Sequence, residues 1–146
     1  MALDRPLLKM SKSHPNPQSR ILLTDSREGI TKKLRVALTD SVEGVSYDSV
    51  ARPGVSNLID IAYHIDPSGA DCAADLARDF ADMSLKSLKE EVAKRIDKQL
   101  SPIRERLQAI LGGSPRILDD AIALGAEKAS VTAAETMTLV RKAIGL

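Results

Sequence analysis

From Leu85 to Ile110 the apolar residues advance by three or four without a break: Leu85, Leu88, Val92, Ile96, Leu100, Ile103, Leu107 and Ile110. That spacing lines one face of an α-helix and no face of a strand. Such a stripe has to be laid on other elements, and the chain supplies them. Leu58, Ile61, Ala62 and Ile65 fall at i, i+3, i+4 and i+7, and Ala73, Leu76, Ala77 and Phe80 repeat the pattern. Ile30, Leu34 and Leu38 recur every fourth residue. Aromatic residues make up only 2% of the 146, so Ala, Leu, Ile and Val must fill the interior, which favours closely packed helices. The expected fold class is mainly α, a helical bundle of one domain's worth of chain.

Punctuation residues set the boundaries. Pro102 interrupts the long stripe and predicts a kink, or two helices abutting at Ser101. Gly112 and Gly113 end it, and Ser114 with Pro115 makes an N-cap and first-turn pair for a last helix running toward Ile144. Gly125, Ala129 and Ala133 form a smooth strip on that helix. Pro67-Ser68-Gly69 closes the helix of Leu58. Asp25, with Glu28 three residues on, reads as a capping box opening the helix of Ile30. Lys32, Lys33 and Arg35 form the outward face of that helix. Residues 40–54 hold no period and read as a loop, with a boundary near Arg52-Pro53-Gly54.

The net charge of +1 hides a segmental pattern. Residues 1–39 carry eight Lys/Arg against three acids, residues 40–82 two against nine, and residues 83–116 eight against four. The basic segments are candidates for phosphate and RNA; the acidic middle is not. On residues 86–106, however, Lys86, Lys89, Lys94, Arg95, Lys98, Arg104 and Arg106 are spread around the helix. Glu90 with Lys94 and Glu91 with Arg95 make favourable i,i+4 pairs, so a solvated mixed face weighs equally with RNA contact. A single Cys72 excludes an internal disulfide and leaves no Cys-based zinc site, so no structural metal is expected. No apolar run is long enough to span a bilayer, and no signal-peptide pattern opens the chain.

Chemistry concentrates near the start. Lys9-Met10-Ser11-Lys12-Ser13 is followed at once by His14-Pro15-Asn16-Pro17, and the two prolines forbid regular helix or strand. A loop with two mobile ammonium groups and two hydroxyls suits a polyphosphate, since each Lys offers a compact charge with three donors. Ile21 to Leu23 is a short apolar run that reads as a buried strand. His14 beside the loop reads first as solvent-exposed, His64 as a packed or surface histidine, and Cys72 as a thiol with no base to activate it.

The loop resembles, letter for letter, the KMSKS signature of class I aminoacyl-tRNA synthetases. Ser19-Arg20-Ile21-Leu22-Leu23-Thr24-Asp25, Ala37-Leu38-Thr39-Asp40-Ser41, Arg52-Pro53-Gly54-Val55-Ser56-Asn57-Leu58-Ile59, Gly125-Ala126-Glu127-Lys128-Ala129 and the closing Ala143-Ile144-Gly145-Leu146 are similar, in order, to the tryptophanyl-tRNA synthetases. The resemblance covers essentially the whole chain. It implies that Lys9 and Lys12 act catalytically on the phosphates of ATP, with Met10, Ser11 and Ser13 completing the ATP-binding loop. ATP would be a substrate accompanied by Mg2+, and tryptophan and tRNA-Trp the other partners of the full-length enzyme.

The resemblance also implies a shortage. In that family the loop follows a nucleotide-binding α/β domain bearing the HIGH-type signature and the tryptophan pocket, and neither is in these 146 residues. The chain is therefore expected to be the C-terminal part of a tryptophan–tRNA ligase, inactive alone. Residues 1–25 would be the edge of the catalytic domain, with a leftover strand at Ile21–Leu23. Residues 26–54 would be a linking helix and loop, and residues 55–146 a helical anticodon-binding domain. The family's homodimer is joined chiefly through the domain not represented here, so dimerisation of this piece is not implied. The likeness is greatest to mitochondrial-type enzymes, which points to the mitochondrial matrix, with the cytoplasm as runner-up. The alternative is a stand-alone, non-catalytic helical RNA-binding or interaction module.

Overall fold

The computed structural model describes residues 1–114 and 116–146. It holds five α-helices among those residues: α1 (Arg27–Arg35), α2 (Pro53–Ile65), α3 (Ala73–Asp79), α4 (Leu85–Leu111) and α5 (Arg116–Ile144). A 3-10 turn occupies Pro17–Ser19, and no β-strand forms among the described residues. The chain divides into two compact units, Met1–Arg104 and Glu105–Leu146.

The first unit is built around α2. Pro53 sits in its first turn, where a missing N–H costs nothing. Val55, Leu58, Ile59 and Ala62 are all buried there, at i, i+3, i+4 and i+7. The buried stripe is thus rotated from the expected one; Ile61 and Ile65 lie at its half-buried edge. Ile30 and Leu34 of α1, Leu76, Ala77 and Phe80 around α3, and Leu88, Val92, Ala93 and Ile96 of α4 complete one core. Each fully buried Leu, Ile or Val contributes about 1.5–3 kcal/mol from water exclusion alone.

Two features fix how α2 meets the preceding loop. Arg52, 7% exposed, forks onto the Asp40 carboxylate, Nε to Oδ2 at 3.0 Å and Nη2 to Oδ1 at 2.8 Å. Its remaining donors reach Ser46 Oγ at 2.8 Å and the carbonyls of Val42 and Gly44 at 2.9 and 3.2 Å. One planar guanidinium thereby folds the whole 40–46 loop around itself. Gly54 then lets the first turn of α2 press on the chain after α1: a Cβ there would stand 2.2 Å from the Leu38 carbonyl oxygen. Ser56 Oγ accepts from Asp48 N at 2.9 Å, and Asn57 Oδ1 accepts from Met1 N at 2.8 Å.

Several expectations are corrected. The N-cap of α1 is Ser26, whose Oγ accepts from Gly29 N at 3.1 Å. Asp25 is committed elsewhere: its Oδ2 accepts from Leu22 N at 2.8 Å and from the Lys33 ammonium at 2.5 Å. Lys33 is accordingly buried, not on the outward face. Leu38 is 54% exposed because α1 ends at Arg35 and the Leu38 backbone turns inward, its N–H donating to Leu3 O at 2.7 Å. Ile21–Leu23 is not a strand. Its backbone is bent by the Asp25 carboxylate and by the turn bond from Asp25 N to Leu22 O, 3.1 Å, and no neighbouring strand supplies a ladder.

α4 runs unbroken from Leu85 to Leu111 with Pro102 inside it, so of the two expected outcomes, a kink or two helices abutting at Ser101, the second does not occur. The expected stop at Gly112 and Gly113 is where the helix ends. Pro115 lies outside the described residues. In the second unit, α5 closes with Gly145 at φ +82°, a left-handed cap that lets Leu146 N return to Arg141 O at 2.8 Å. No residue of α5 is buried.

Gly54→Ala tests the close approach. Alanine favours the helix by up to about 1 kcal/mol, yet its Cβ collides with backbone that cannot swing aside; a net loss of roughly 1–3 kcal/mol is expected in the urea midpoint. Asp40 supplies a pH test. The Arg52 guanidinium, through its hydrogen bonds, holds this carboxyl below the ordinary carboxylate value. A depressed folded-state value makes its stabilisation complete above about pH 4 and lost as pH falls through the depressed value. Asp40→Asn should lower stability at pH 7 and flatten that acid limb in melts from pH 7 to pH 2.

Candidate phosphate-binding site

Lys9 to Ser13 leaves the core on two anchored stems. On the incoming side Leu3 is buried, its N–H donating to Ser19 O at 2.9 Å and its carbonyl accepting from Leu38 N. On the outgoing side Asn16 is the hub. Its Oδ1 accepts from Gln18 N at 3.0 Å, its Nδ2 donates to Asp4 Oδ2 at 2.8 Å, and its N–H donates to His14 Nδ1 at 3.1 Å. Ser19 Oγ donates to Asn16 O at 2.7 Å, and Arg20 Nη1 to His14 O at 2.8 Å. The loop is thus free at its tip and braced at its base. His14, half-buried, is part of that brace and not simply solvent-exposed. The sequence signal for this frame was an asparagine between two prolines, a residue whose side chain bonds backbone two positions on.

At the tip, Lys9, Lys12 and Ser13 are exposed and Met10 and Ser11 half-buried. Ser11 Oγ and Ser13 Oγ lie 3.0 Å apart. Neither lysine has an ion-pair partner among the described residues. Met10, Ser11 and Lys12 line a cleft of about 430 Å³ whose other wall is Arg20 to Thr24; Lys9 and Ser13 stand outside that lining. Arg20 adds a second cation to the cleft, one the sequence reading did not single out.

The far wall is held from behind by Asp25. Besides binding Leu22 N and Lys33, this residue accepts through its carbonyl from Arg104 Nη1 at 2.9 Å. Arg104 Nη2 in turn grips Asp97 Oδ1 at 2.5 Å. Lys33 of α1 and Arg104 of α4 thus converge on Asp25, whose carboxylate holds the cleft wall at Leu22. The donors facing the cleft are ammonium, guanidinium and hydroxyl, which fit the oxygens of a phosphate chain rather than a metal ion. No group of three or more His, Cys, Asp or Glu among the described residues could hold a metal, and no described helix is long and apolar enough to cross a membrane. Cys72 is exposed at the start of α3, and His64 stacks edge-on with Tyr63 at 5.4 Å.

The mitochondrial tryptophan–tRNA ligase of Dictyostelium discoideum is 37% identical over all 146 residues, which span 38% of that protein. The tryptophan–tRNA ligase of Clostridium perfringens is 36% identical over the whole chain and 42% of its own length. The chloroplastic/mitochondrial enzyme of Arabidopsis thaliana is 35% identical over 99% of the chain and 35% of its own length. The crystal structure of tryptophanyl-tRNA synthetase from Mycoplasma pneumoniae superposes with a TM-score of 0.80 at 29% identity, covering 100% of this chain and 43% of that one. The chain spans about two fifths of the length of the relatives it matches. The family model described as tRNA synthetases class I (W and Y) matches residues 1–101, and the chain belongs to that family.

Proposed function

We propose that these 146 residues are the part of a tryptophan–tRNA ligase that carries its triphosphate-gripping loop and its tRNA-facing helices. The observation that supports this best is local. Two exposed lysines without ion-pair partners among the described residues stand on one braced loop, and one of them, Lys12, lines a cleft together with a further cation, Arg20.

On this reading the tryptophan carboxylate attacks the α-phosphorus of ATP, the bond to the bridging oxygen breaks, and pyrophosphate departs with the electron pair. Negative charge grows on the β- and γ-phosphate oxygens. Cations aimed at that growing charge stabilise the transition state more than bound ATP, which is what raises the rate. Lys9 and Lys12 perform this role, Ser11 and Ser13 hold the loop or donate to phosphate, and the backbone of Met10 carries them. Mg2+ accompanying ATP would find no carboxylate ligand in Lys9–Ser13 and would enter as part of the substrate, adding positive charge beside the phosphates. A terminal ribose hydroxyl of tRNA-Trp then attacks the tryptophanyl carbonyl of the adenylate, the ester bond to tRNA forms, and AMP departs with the electron pair of the bond that breaks.

Residues 1–25 form the edge of the catalytic domain, 26–54 the link, and 55–146 the domain that faces the anticodon. The working compartment is the mitochondrial matrix, supported by the mitochondrial enzymes among the relatives. Bacterial relatives of similar identity keep the cytoplasm as the alternative.

A gripping loop alone cannot orient the reactants, and orientation is worth about 7–11 kcal/mol. The 146-residue chain by itself should therefore show no tryptophan-dependent ATP–pyrophosphate exchange, and a measurable rate would overturn that claim. In the intact enzyme, Lys12→Ala should slow adenylate formation about 10²–10³-fold. A single-turnover rate within a few-fold of the parent would remove Lys12 from the mechanism.

A further inference from the structure

A second basic surface lies apart from the loop, where α1 meets the start of α4. α1 turns Ile30 and Leu34 inward and leaves Arg27, Lys32 and Arg35 exposed. Lys86 of α4 is exposed beside them, and the two helices enclose a concavity of about 160 Å³ lined in part by Thr31, Arg35, Lys86 and Lys89. A shallower hollow of about 430 Å³ continues along α1 past Lys32 to Arg27.

Three observations distinguish this face from an ordinary solvated one. Lys32, Arg35 and Lys86 have no ion-pair partner among the described residues. Arg27 reaches only Asp97, at 3.9 Å, and is 75% exposed. The C-terminal end of α1, whose free carbonyls would repel an anion, is covered: Lys89 Nζ donates to Ala37 O at 2.8 Å and Arg35 O at 3.4 Å. Glu28 and Glu90 are the carboxylates lining the two hollows, so the five cations outnumber them.

We propose that this α1–α4 face, through Lys32, Arg35 and Lys86, binds the phosphodiester backbone of structured RNA. The proposal rests on the tRNA-facing reading above and adds a docking surface to it. The face is concave and its cations stand singly at helical spacing, which suits a strand of separated phosphates better than a flat anionic bilayer. Tyr47, Tyr63 and Phe80 lie elsewhere in the fold, leaving this face without a stacking platform for bases. It therefore contributes register and affinity without reading sequence.

The test uses the whole 146-residue chain with two probes, a tRNA-Trp transcript and a transcript of an unrelated tRNA, titrated from 50 to 200 mM KCl. Lys32→Gln with Arg35→Gln should weaken both about tenfold and reduce the slope of log affinity against log salt by about 2, one per lost phosphate contact. Lys32→Arg with Arg35→Lys, which keeps the charge, should bind within about twofold of the parent. If the parent binds RNA and the glutamine variant matches it in affinity and slope, the surface assignment is wrong while the tRNA-facing reading stands. If the parent binds neither transcript at 50 mM salt, both fail. Binding to phosphatidylserine vesicles that the glutamine variant loses, with RNA affinity unchanged, would give the face to a membrane and overturn the proposal.

Discussion

The fold depends on how closely the first turn of α2 can approach the chain that leaves α1. Gly54 removes the one carbon that would collide with the Leu38 carbonyl, and Arg52 ties the intervening loop into a knot of hydrogen bonds beside it. A guanidinium only 7% exposed is tolerable because its donors are taken up, two of them by a carboxylate. With that junction made, Val55, Leu58, Ile59 and Ala62 face α1, α3 and α4 together. Without it the central helix would stand away from its neighbours, and the core would lose its shared layer.

The candidate site inherits its order from the same packing. Leu3 is buried in the core and bridges Ser19 and Leu38 through its backbone, so the stems of the loop are fastened to the segment against which Gly54 packs. The opposite wall of the cleft is fastened through Asp25 to Lys33 and Arg104. Loop tip and cleft wall thus differ in kind. Lys9 and Lys12 are exposed charges on a braced turn, whereas the wall at Leu22 is held through Asp25 by one ion pair, to Lys33, and one hydrogen bond from Arg104 to the Asp25 carbonyl.

Family membership and the site support each other without being the same argument. The profile match over residues 1–101 takes in the loop, α1, α2 and α3 and most of α4. Within that range one short block carries several structural tasks at once. In Arg52-Pro53-Gly54-Val55-Ser56-Asn57, one residue clamps a loop, one starts a helix, one permits close approach, one fills the core and two satisfy backbone donors.

The amino-acid sequence by itself determined the helical class, the approximate spans of α2, α3, α4 and α5, and the loop at Lys9–Ser13. These follow from periodicity and from proline and glycine, which act over a few residues. What it did not determine were choices between partners that local spacing leaves equally available. Asp25 had equal local reason to cap α1, but Lys33 and Leu22 claimed it, and Ser26 capped instead. Ile21 to Leu23 had the composition of a strand, but a strand exists only beside another. Lys33 looked like its outward neighbours Lys32 and Arg35 until the half-buried Asp25 carboxylate gave it a reason to turn in. Arg20 and Asn16 joined the site through near neighbours, Arg20 on the His14 carbonyl and Asn16 on Asp4, His14 and Gln18, a frame set by how the loop turns back on itself. Local spacing is written in the order of residues; which charge meets which is settled only when the helices have packed and water has been displaced.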